Sequence, residues 1–301
     1  MSRILVIGAR GFLGGHVLEY FSHDSYEVWR GVRGNSPKST TVDDRTIYLD
    51  ELQNQNYSSG TEFECVVFCG SANVSLIDDN PSEYLRQSIL LPYTWLHSLV
   101  RLNTKQIIWV GSYWQEPVGD GYQGTNLYAA SKQAMQDLLA SFIVYGIHVS
   151  VIHLGDLYGL DDQRKKLIPL LIKSILNQQQ MLIHNPKHVM RPVWYLDVLK
   201  GLAYLIKSRA SRKPGFEVYS MVGPEKIEVE ILVKTIIETF DADASLVSYG
   251  QPLKPTLYSG QTKYNFPIES FQQTKLKDGI ISIRNILIRE GDLRACHDSR
   301  P

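Results

Sequence analysis

The chain has 301 residues, 44% of them apolar and 21% charged, with 31 Lys and Arg balanced by 31 Asp and Glu. That composition excludes disordered and collagen-like chains, and the length suffices for a buried core without disulfide staples. A formal charge of zero argues against a generic nucleic-acid binder, which usually carries a basic surplus, yet leaves room for a small anion held by local charges.

Ile4 to Ile7 reads as a strand, starting too near Met1 to leave room for a signal peptide. The glycine-rich stretch Gly8 to Gly15 follows, then a helix through about Phe21, a second strand at Tyr26 to Val32 and a weaker third at Thr46 to Leu49. Cys65 to Cys69 gives a fourth strand, Leu85 to Leu102 a helix, and Gln106 to Val110 a fifth strand. Tyr128 to Tyr145 has helical periodicity, with Met135, Leu138, Leu139 and Phe142 on one face, and His148 to Leu154 is a sixth strand. Such alternation predicts an α/β fold, a Rossmann-type doubly wound parallel sheet built from right-handed β-α-β units.

Beyond Leu160 the pattern shifts to helices around Leu167 to Leu176, Leu196 to Lys207 and Glu228 to Phe240. A polar, turn-rich stretch from Asp241 to Gln273 precedes a last helix near Leu276. The shift predicts a cofactor-binding Rossmann domain over 1–165 and a smaller mixed α/β substrate-binding portion over 166–301, partly interleaved with it. The pocket is expected above the carboxyl ends of the strands, between the two parts.

No run reaches the roughly 18 apolar residues of a membrane-spanning helix. The most apolar stretch, Ser88 to Val100, is broken by Pro92, Thr94, His97 and Ser98. Three cysteines, an odd and sparse number, point to a reducing, cytoplasmic compartment. Cys65 and Cys69 stand about 13 Å apart along one strand, too far for a disulfide, and are expected to be buried there. His184 and His188 have the spacing of a helical metal pair, but Pro186 lies between them, so no metal site is expected.

Gly8-Ala9-Arg10-Gly11-Phe12-Leu13-Gly14 ends the first strand and opens a helix. Glycines at these positions permit a tight turn and close approach of backbone to a pyrophosphate, with the positive helix end facing it. The spacing is G-x-x-G-x-x-G, so a bare strand-to-helix turn stays open, although that needs fewer glycines. Tyr128 and Lys132 lie four apart on one helix face, where the ammonium favours the phenolate and makes the tyrosine a usable proton donor and acceptor. Taken alone, such a pair also suits a solvated surface.

Together with Gly111-Ser112 at the end of a strand, these motifs resemble the extended short-chain dehydrogenase/reductase family, that of NAD(P)-dependent nucleotide-sugar epimerases and dehydratases. Gly111-Ser-Tyr-Trp-Gln115, the run Asn126 to Ala134, Leu154-Gly-Asp-Leu-Tyr-Gly159 and the run Asp161 to Pro169 are similar to bacterial CDP- and dTDP-deoxysugar 4-ketoreductases. Arg191 to Asp197 resembles a later family segment, and the likeness spans about residues 3 to 207, with a weaker echo at Leu276 to Ile280.

The resemblance implies that Tyr128 protonates the carbonyl oxygen as hydride arrives, Lys132 lowers its pKa and holds the nicotinamide ribose, and Ser112 hydrogen-bonds the same oxygen. It places the cofactor on Gly8, Arg10, Gly11, Phe12, Leu13, Gly14, Cys69, Gly70, Leu154 and Leu157, with Asp50, Glu51 and Leu52 at the adenine. Two departures narrow the reaction. Dehydratases carry Asp-Glu after the catalytic hydroxyl, whereas Tyr113 and Trp114 follow Ser112; and Ser88 stands where relatives often have Asn.

Strand two ends in Val28-Trp-Arg-Gly-Val-Arg33, without the acid that accepts from a ribose 2′-hydroxyl. Arg33, aided by Arg10, suits a 2′-phosphate, so NADP(H) is expected over NAD; a solvated surface role stays open for either arginine. Arg164 and Lys166, with Lys165 between them and Arg191 later, are candidates for the substrate diphosphate, and Trp114 and Tyr158 for flanking the sugar. The expectation is NADPH-dependent reduction of a 4-keto group on a nucleotide-activated deoxysugar, for surface polysaccharide biosynthesis. The alternatives are a nucleotide-sugar epimerase with tightly bound NAD and a catalytically silent NADP-binding sensor. The resemblance also implies a homodimer through the Leu85–Leu102 and Tyr128–Tyr145 helices.

Overall fold

In strand β1 (Arg3–Ile7) the side chains from Ile4 to Ile7 are at most 2% exposed, so an unbroken apolar run is covered on both faces. The strands β4 (Cys65–Phe68), β5 (Gln106–Val110) and β6 (His148–Leu154) are buried throughout in the same way. These features belong to a computed structural model, which describes residues 2–34, 45–52, 62–116, 126–209, 213–251, 262–267 and 272–290.

Seven strands form the main sheet. From β1 the chain steps outward to β2 (Glu27–Val32) and β3 (Thr46–Tyr48), then returns across β1 to β4, β5 and β6. The strand β11 (Gly215–Met221) completes the far edge, giving the order β11-β6-β5-β4-β1-β2-β3. The neighbours from β3 to β6 pair in parallel, with Ile4 opposite Val28 on one side and Cys65 on the other. This is the doubly wound arrangement expected from the alternation, and its order reverses between β1 and β4, where such folds open a crevice at the strands' carboxyl ends.

Helix α1 (Phe12–Ser22) follows β1 directly and buries Leu13, Gly14, Val17 and Phe21. Beyond β4 come the short helices α2 (Leu76–Asp79) and α3 (Pro81–Leu85) and then α4 (Leu91–Val100). The single helix predicted over 85–102 is therefore interrupted, by a π turn at Arg86–Leu90. Pro92 has no N–H to return to the carbonyl of Ser88, and the chain widens there, with Leu91 N–H donating five residues back to Arg86. Helix α5 (Leu127–Leu139) packs against this turn and runs on as 3-10 helix through Tyr145.

The chain divides into two compact units, each with its own core. The first comprises Met1–Leu154, Leu199–Ser220 and Lys263–Phe266; the second Gly155–Val198, Met221–Thr262 and Pro267–Pro301. In the first, Phe68 and Trp109 pack ring to ring at 4.4 Å within a cluster that includes Leu5, Leu96, Leu139 and Phe142. Each such buried side chain contributes roughly 1.5–3 kcal/mol.

The second unit carries β7 (Asp156–Tyr158), α6 (Leu167–Leu176), β8 (Met181–Ile183), β9 (Val189–Met190) and β10 (Pro192–Trp194). Helix α7 (Tyr195–Ser208) begins in it, and β12 (Ile227–Glu228), α8 (Val229–Phe240), β13 (Val247–Tyr249) and α9 (Leu276–Glu290) complete it. Its strands join as three short pairs, β7 with β10, β8 with β13, and β9 with β12, and α8 packs on α9 and α6. The pairings escape sequence reading because two- and three-residue strands have no detectable period. Among the described residues no helix is long and apolar enough to cross a membrane, and no three His, Cys, Asp or Glu side chains gather as a metal site.

Candidate active site

Gly8 closes β1 with φ at +87°, and a Cβ there would lie 2.6 Å from the backbone nitrogen of Gly70, just past β4. The two strand ends flanking the reversal of order thus approach through bare backbone, which only glycine allows. Gly11 N–H donates to Gly8 O at 2.9 Å, and a Cβ on Gly14 would collide with that same carbonyl. Gly11 caps α1 in extended conformation without a side-chain hydrogen bond, and the first turn, with Phe12 and Leu13, holds no acid. The first-turn N–H groups and the positive helix end are therefore directed at an external anion. With no side chain at Gly8, Gly11 or Gly14, this turn fits a dinucleotide pyrophosphate; Arg10 is exposed on it.

At the end of β2, Arg33 donates to the Gln87 side-chain oxygen at 3.0 Å. Beside it, hydrogen bonds from Arg86 and Gln87, with the charge of Arg33, hold the Glu83 carboxyl down to about 2. Asp50 accepts from Gly34 N–H at 2.7 Å and from the Trp95 indole at 3.1 Å, so it braces the chain leaving β2. Leu52 is 4% exposed and belongs to the core, while Glu51 ends the short 3-10 turn that follows β3. Residues 35–44, next along the chain, lie outside the described residues.

The strand β5 ends in Gly111-Ser112. Ser112 opens the 3-10 turn Tyr113–Gln115 as a capping box: its Oγ accepts from Trp114 N–H at 3.3 Å, and its own N–H donates to Gln115 Oε1 at 2.8 Å. The oxygen is held as an acceptor, and the hydroxyl proton remains a donor. A Cβ at Gly111 would overlap Gln115 Oε1, which explains the glycine before the serine.

Tyr128 stands in the first turn of α5, whose Asn126 cap accepts from Ala129 N–H at 2.8 Å. One turn on, Lys132 is buried, with Nζ 3.4 Å from the carbonyl oxygen of Val110 and 5.2 Å from the Trp109 ring. Burial lowers its pKa to about 8, partly opposed by Cys69. Burial likewise pushes the Cys69 thiol up to about 12 and the Cys65 thiol well above its ordinary value. Helix α5 also packs on the Tyr113–Gln115 turn, so the structure brings Ser112, Lys132 and the helix bearing Tyr128 to one strand end.

Behind Ser112 lies a buried polar network that sequence reading passed over. Gln115 Nε2 donates to Gln136 Oε1 at 3.2 Å, and His153 Nε2 lies 2.6 Å from the same oxygen. His153 Nδ1 donates to Glu116 Oε1 at 3.1 Å, and Ser220 Oγ donates to the same oxygen at 2.5 Å. Glu116 Oε2 accepts from Lys263 N–H at 2.5 Å, and Ser220 Oγ from Tyr264 N–H at 3.3 Å. These members are spread over distant segments of the chain, with no spacing that a motif could register.

The second unit places the diphosphate candidates differently. Arg164 grips Asp162 through Nε and Nη2, both at 2.7 Å, and donates from Nη2 to Leu157 O at 2.7 Å. Arg191 donates from Nη2 to Gly223 O at 3.0 Å and from its N–H to Asp156 Oδ2 at 2.9 Å. Both arginines thus gather at β7, whereas Lys166 is exposed at the start of α6, where its N–H donates to Arg164 O and its carbonyl accepts from Leu170 N–H. Tyr158 is 1% exposed and packs on Trp194 at 5.3 Å and over Gly279, so its ring serves the core there. In the first unit, Trp114 is half-buried beside Tyr113, and Leu154 is buried at the end of β6.

The sequence profile of the NAD dependent epimerase/dehydratase family matches residues 4–220. CDP-abequose synthase of Yersinia pseudotuberculosis is 24% identical over 178 residues, 59% of this chain and 60% of that protein's length. The UDP-glucuronic acid 4-epimerase of Bacillus cereus, solved with a fluorinated substrate analogue and NAD, superposes with a TM-score of 0.78 at 15% identity, covering 96% of this chain and 100% of that one. The dTDP-glucose 4,6-dehydratase of Streptomyces venezuelae, solved with NAD, gives 0.72 at 18% identity over 96% and 97%.

These findings correct two expectations. NADP(H) gives way to NAD, the dinucleotide named in the family description and in both solved structures. With it falls NADPH-dependent reduction of a 4-keto sugar, since those structures are an epimerase and a dehydratase. The physical reason lies at Arg33, the main support for a 2′-phosphate, which is engaged by Gln87 and sits in the field of Glu83.

Proposed function

The chain belongs to the NAD dependent epimerase/dehydratase family, and from that membership we propose that it epimerises a nucleotide-activated sugar at C4 with tightly bound NAD. The observation that carries this reading is Lys132, a buried ammonium one turn from Tyr128, whose Nζ contacts the carbonyl of Val110, two residues before Ser112 at the exit of β5. Bound on the glycine turn, NAD would supply a reversible acceptor for the C4 hydride.

Tyr128, as phenolate stabilised by Lys132 and by the positive end of α5, takes the proton of the C4 hydroxyl as the hydride leaves. Ser112 donates its hydroxyl proton to the same sugar oxygen, steadying it as alkoxide and then as ketone. Once the 4-keto sugar has turned its other face, Tyr128 hands the proton back to the C4 oxygen. Charge is conserved over the cycle, and no external reductant is consumed.

Dehydration needs a base beside the ketone. The first acid after Ser112 is Glu116, 4% exposed and engaged by His153, Ser220 and Lys263, and it cannot reach a sugar. The diphosphate is assigned to the arginines gathered at β7, Arg164 and Arg191. A homodimer belongs to the same reading, through the surface where Leu85, Leu90, Leu138, Val144 and Tyr145 stand exposed. The test is a panel of CDP-, dTDP-, GDP- and UDP-hexoses followed by NMR at C4. Interconversion of epimers without added cofactor supports the proposal, and no interconversion across the panel contradicts it.

A further inference from the structure

The network behind Ser112 joins two places that have no other reason to be linked. At one end is the Ser112 N–H, held by Gln115; at the other are the N–H groups of Lys263 and Tyr264, held by Glu116 and Ser220. Gln115, Glu116, Gln136, His153 and Ser220 are all at most 6% exposed. His153 Nδ1 faces Glu116 and its Nε2 lies beside the side-chain amides of Gln136 and Gln115, so the ring bridges the carboxyl group to both amides.

A buried carboxylate and imidazole are a poor choice for stability alone. Apolar side chains of similar volume usually hold such a site at least as well, whereas removal of one partner strands the other. What the polar set supplies is a defined geometry, because every member has its partners and no rotamer change leaves the others satisfied.

We propose that Glu116 and His153 are positioning residues for C4 oxidation, locking the Ser112 turn through Gln115 and Gln136 only while the Lys263–Tyr264 segment is seated on Glu116. The inference rests on the C4-epimerase reading and assigns the orientation of Ser112, and hence turnover, to a segment more than a hundred residues away in sequence. Neither residue touches the sugar; both act through the serine. The Glu116 carboxylate supplies two acceptor oxygens, and an amide supplies one acceptor and one donor. The variant Glu116→Gln therefore sets an N–H against either His153 and Ser220 or Lys263 N–H.

The experiment compares the full-length wild type, E116Q, S112A and the double variant in epimerisation and in amide hydrogen exchange. E116Q is expected to lower kcat by roughly tenfold to a hundredfold while KM stays within about twofold, and to cost nothing further in the S112A background. Equal losses in both backgrounds, or a rise in KM with kcat unchanged, would overturn the proposal. Exchange separates this outcome from the fate of the epimerase reading. Should no nucleotide-sugar turn over, faster exchange in E116Q at Ser112 together with Lys263 and Tyr264 still supports the linkage, and faster exchange at Lys263 and Tyr264 alone defeats it. If E116Q does not fold, S220A, which deletes one donor, is read by the same criteria.

Discussion

The ammonium of Lys132 lies 3.4 Å from the carbonyl oxygen of Val110, tying the middle of α5 to the exit of β5. The contact sets the distance between the helix face carrying Tyr128 and the turn carrying Ser112. It also buries a cation beside the Trp109 ring, with one backbone oxygen and a π face to offset the lost water.

That burial has a measurable sign. The folded-state pKa of Lys132 is about 8, against 10.5 for an ordinary lysine. Between those values the unfolded chain holds a proton that the folded chain has lost, so stability rises with pH across that window and the penalty is complete below it. Lys132→Met should therefore stabilise nucleotide-free protein by roughly 1–3 kcal/mol at pH 7, with the gain shrinking towards pH 10.5, and should abolish turnover. Denaturant melts of both proteins from pH 6 to 10.5 check this; a variant less stable at pH 7 would contradict it.

Tyr128→Phe keeps the ring and removes the proton carrier. Epimerisation should fall by roughly a thousandfold or more, while NAD co-purifying with the chain stays near the wild-type amount. Turnover within about tenfold of wild type would remove Tyr128 from the mechanism.

The glycine turn separates two neighbouring positions. A Cβ on Gly14 would collide with Gly8 O and approach Ala9 N at 3.0 Å, both rigid backbone, whereas on Gly15 it would meet Ala9 O at an ordinary 3.5 Å. Gly14→Ala should cost about 1–3 kcal/mol and strip NAD from the purified protein. Gly15→Ala, a helix-interior exchange, should be neutral or stabilising by a few tenths of a kcal/mol. Bound nucleotide and thermal midpoints decide the matter, and equal behaviour of the pair would contradict the geometry.

With NAD as cofactor there is no 2′-phosphate for Arg33 to neutralise. Arg33→Ala should leave NAD affinity within about threefold, which isothermal titration of nucleotide-free protein will read. A loss beyond about tenfold would mean that the arginine contacts the dinucleotide after all.

The parts legible in the sequence share one property: their residues are fixed by local spacing. The glycines at 8 and 14 mark a turn because a Cβ at either would strike backbone, and Tyr128 and Lys132 share a face because a helix repeats every 3.6 residues. Glu116 and His153 share no spacing, since strand β6, not sequence, brings them together. The cofactor expectation failed for a related reason. The charge of Arg33 and the missing acid beside it are both local in sequence, while Gln87, 54 positions later, takes up its guanidinium. Tyr158 appeared beside a sugar because a motif ended there, but its burial depends on Gly279 and Trp194, which lie in distant segments.

The central claim is that one chain removes a hydride from C4 and returns it to the same carbon. The direct measurement uses nucleotide-sugar deuterated at C4, incubated with purified protein and no added cofactor, with NMR and mass analysis of the epimer. The account predicts an epimer that retains deuterium at C4, with one NAD bound per active chain. An epimer that has lost its deuterium to solvent, or turnover only with stoichiometric oxidation of added NADPH, would contradict it.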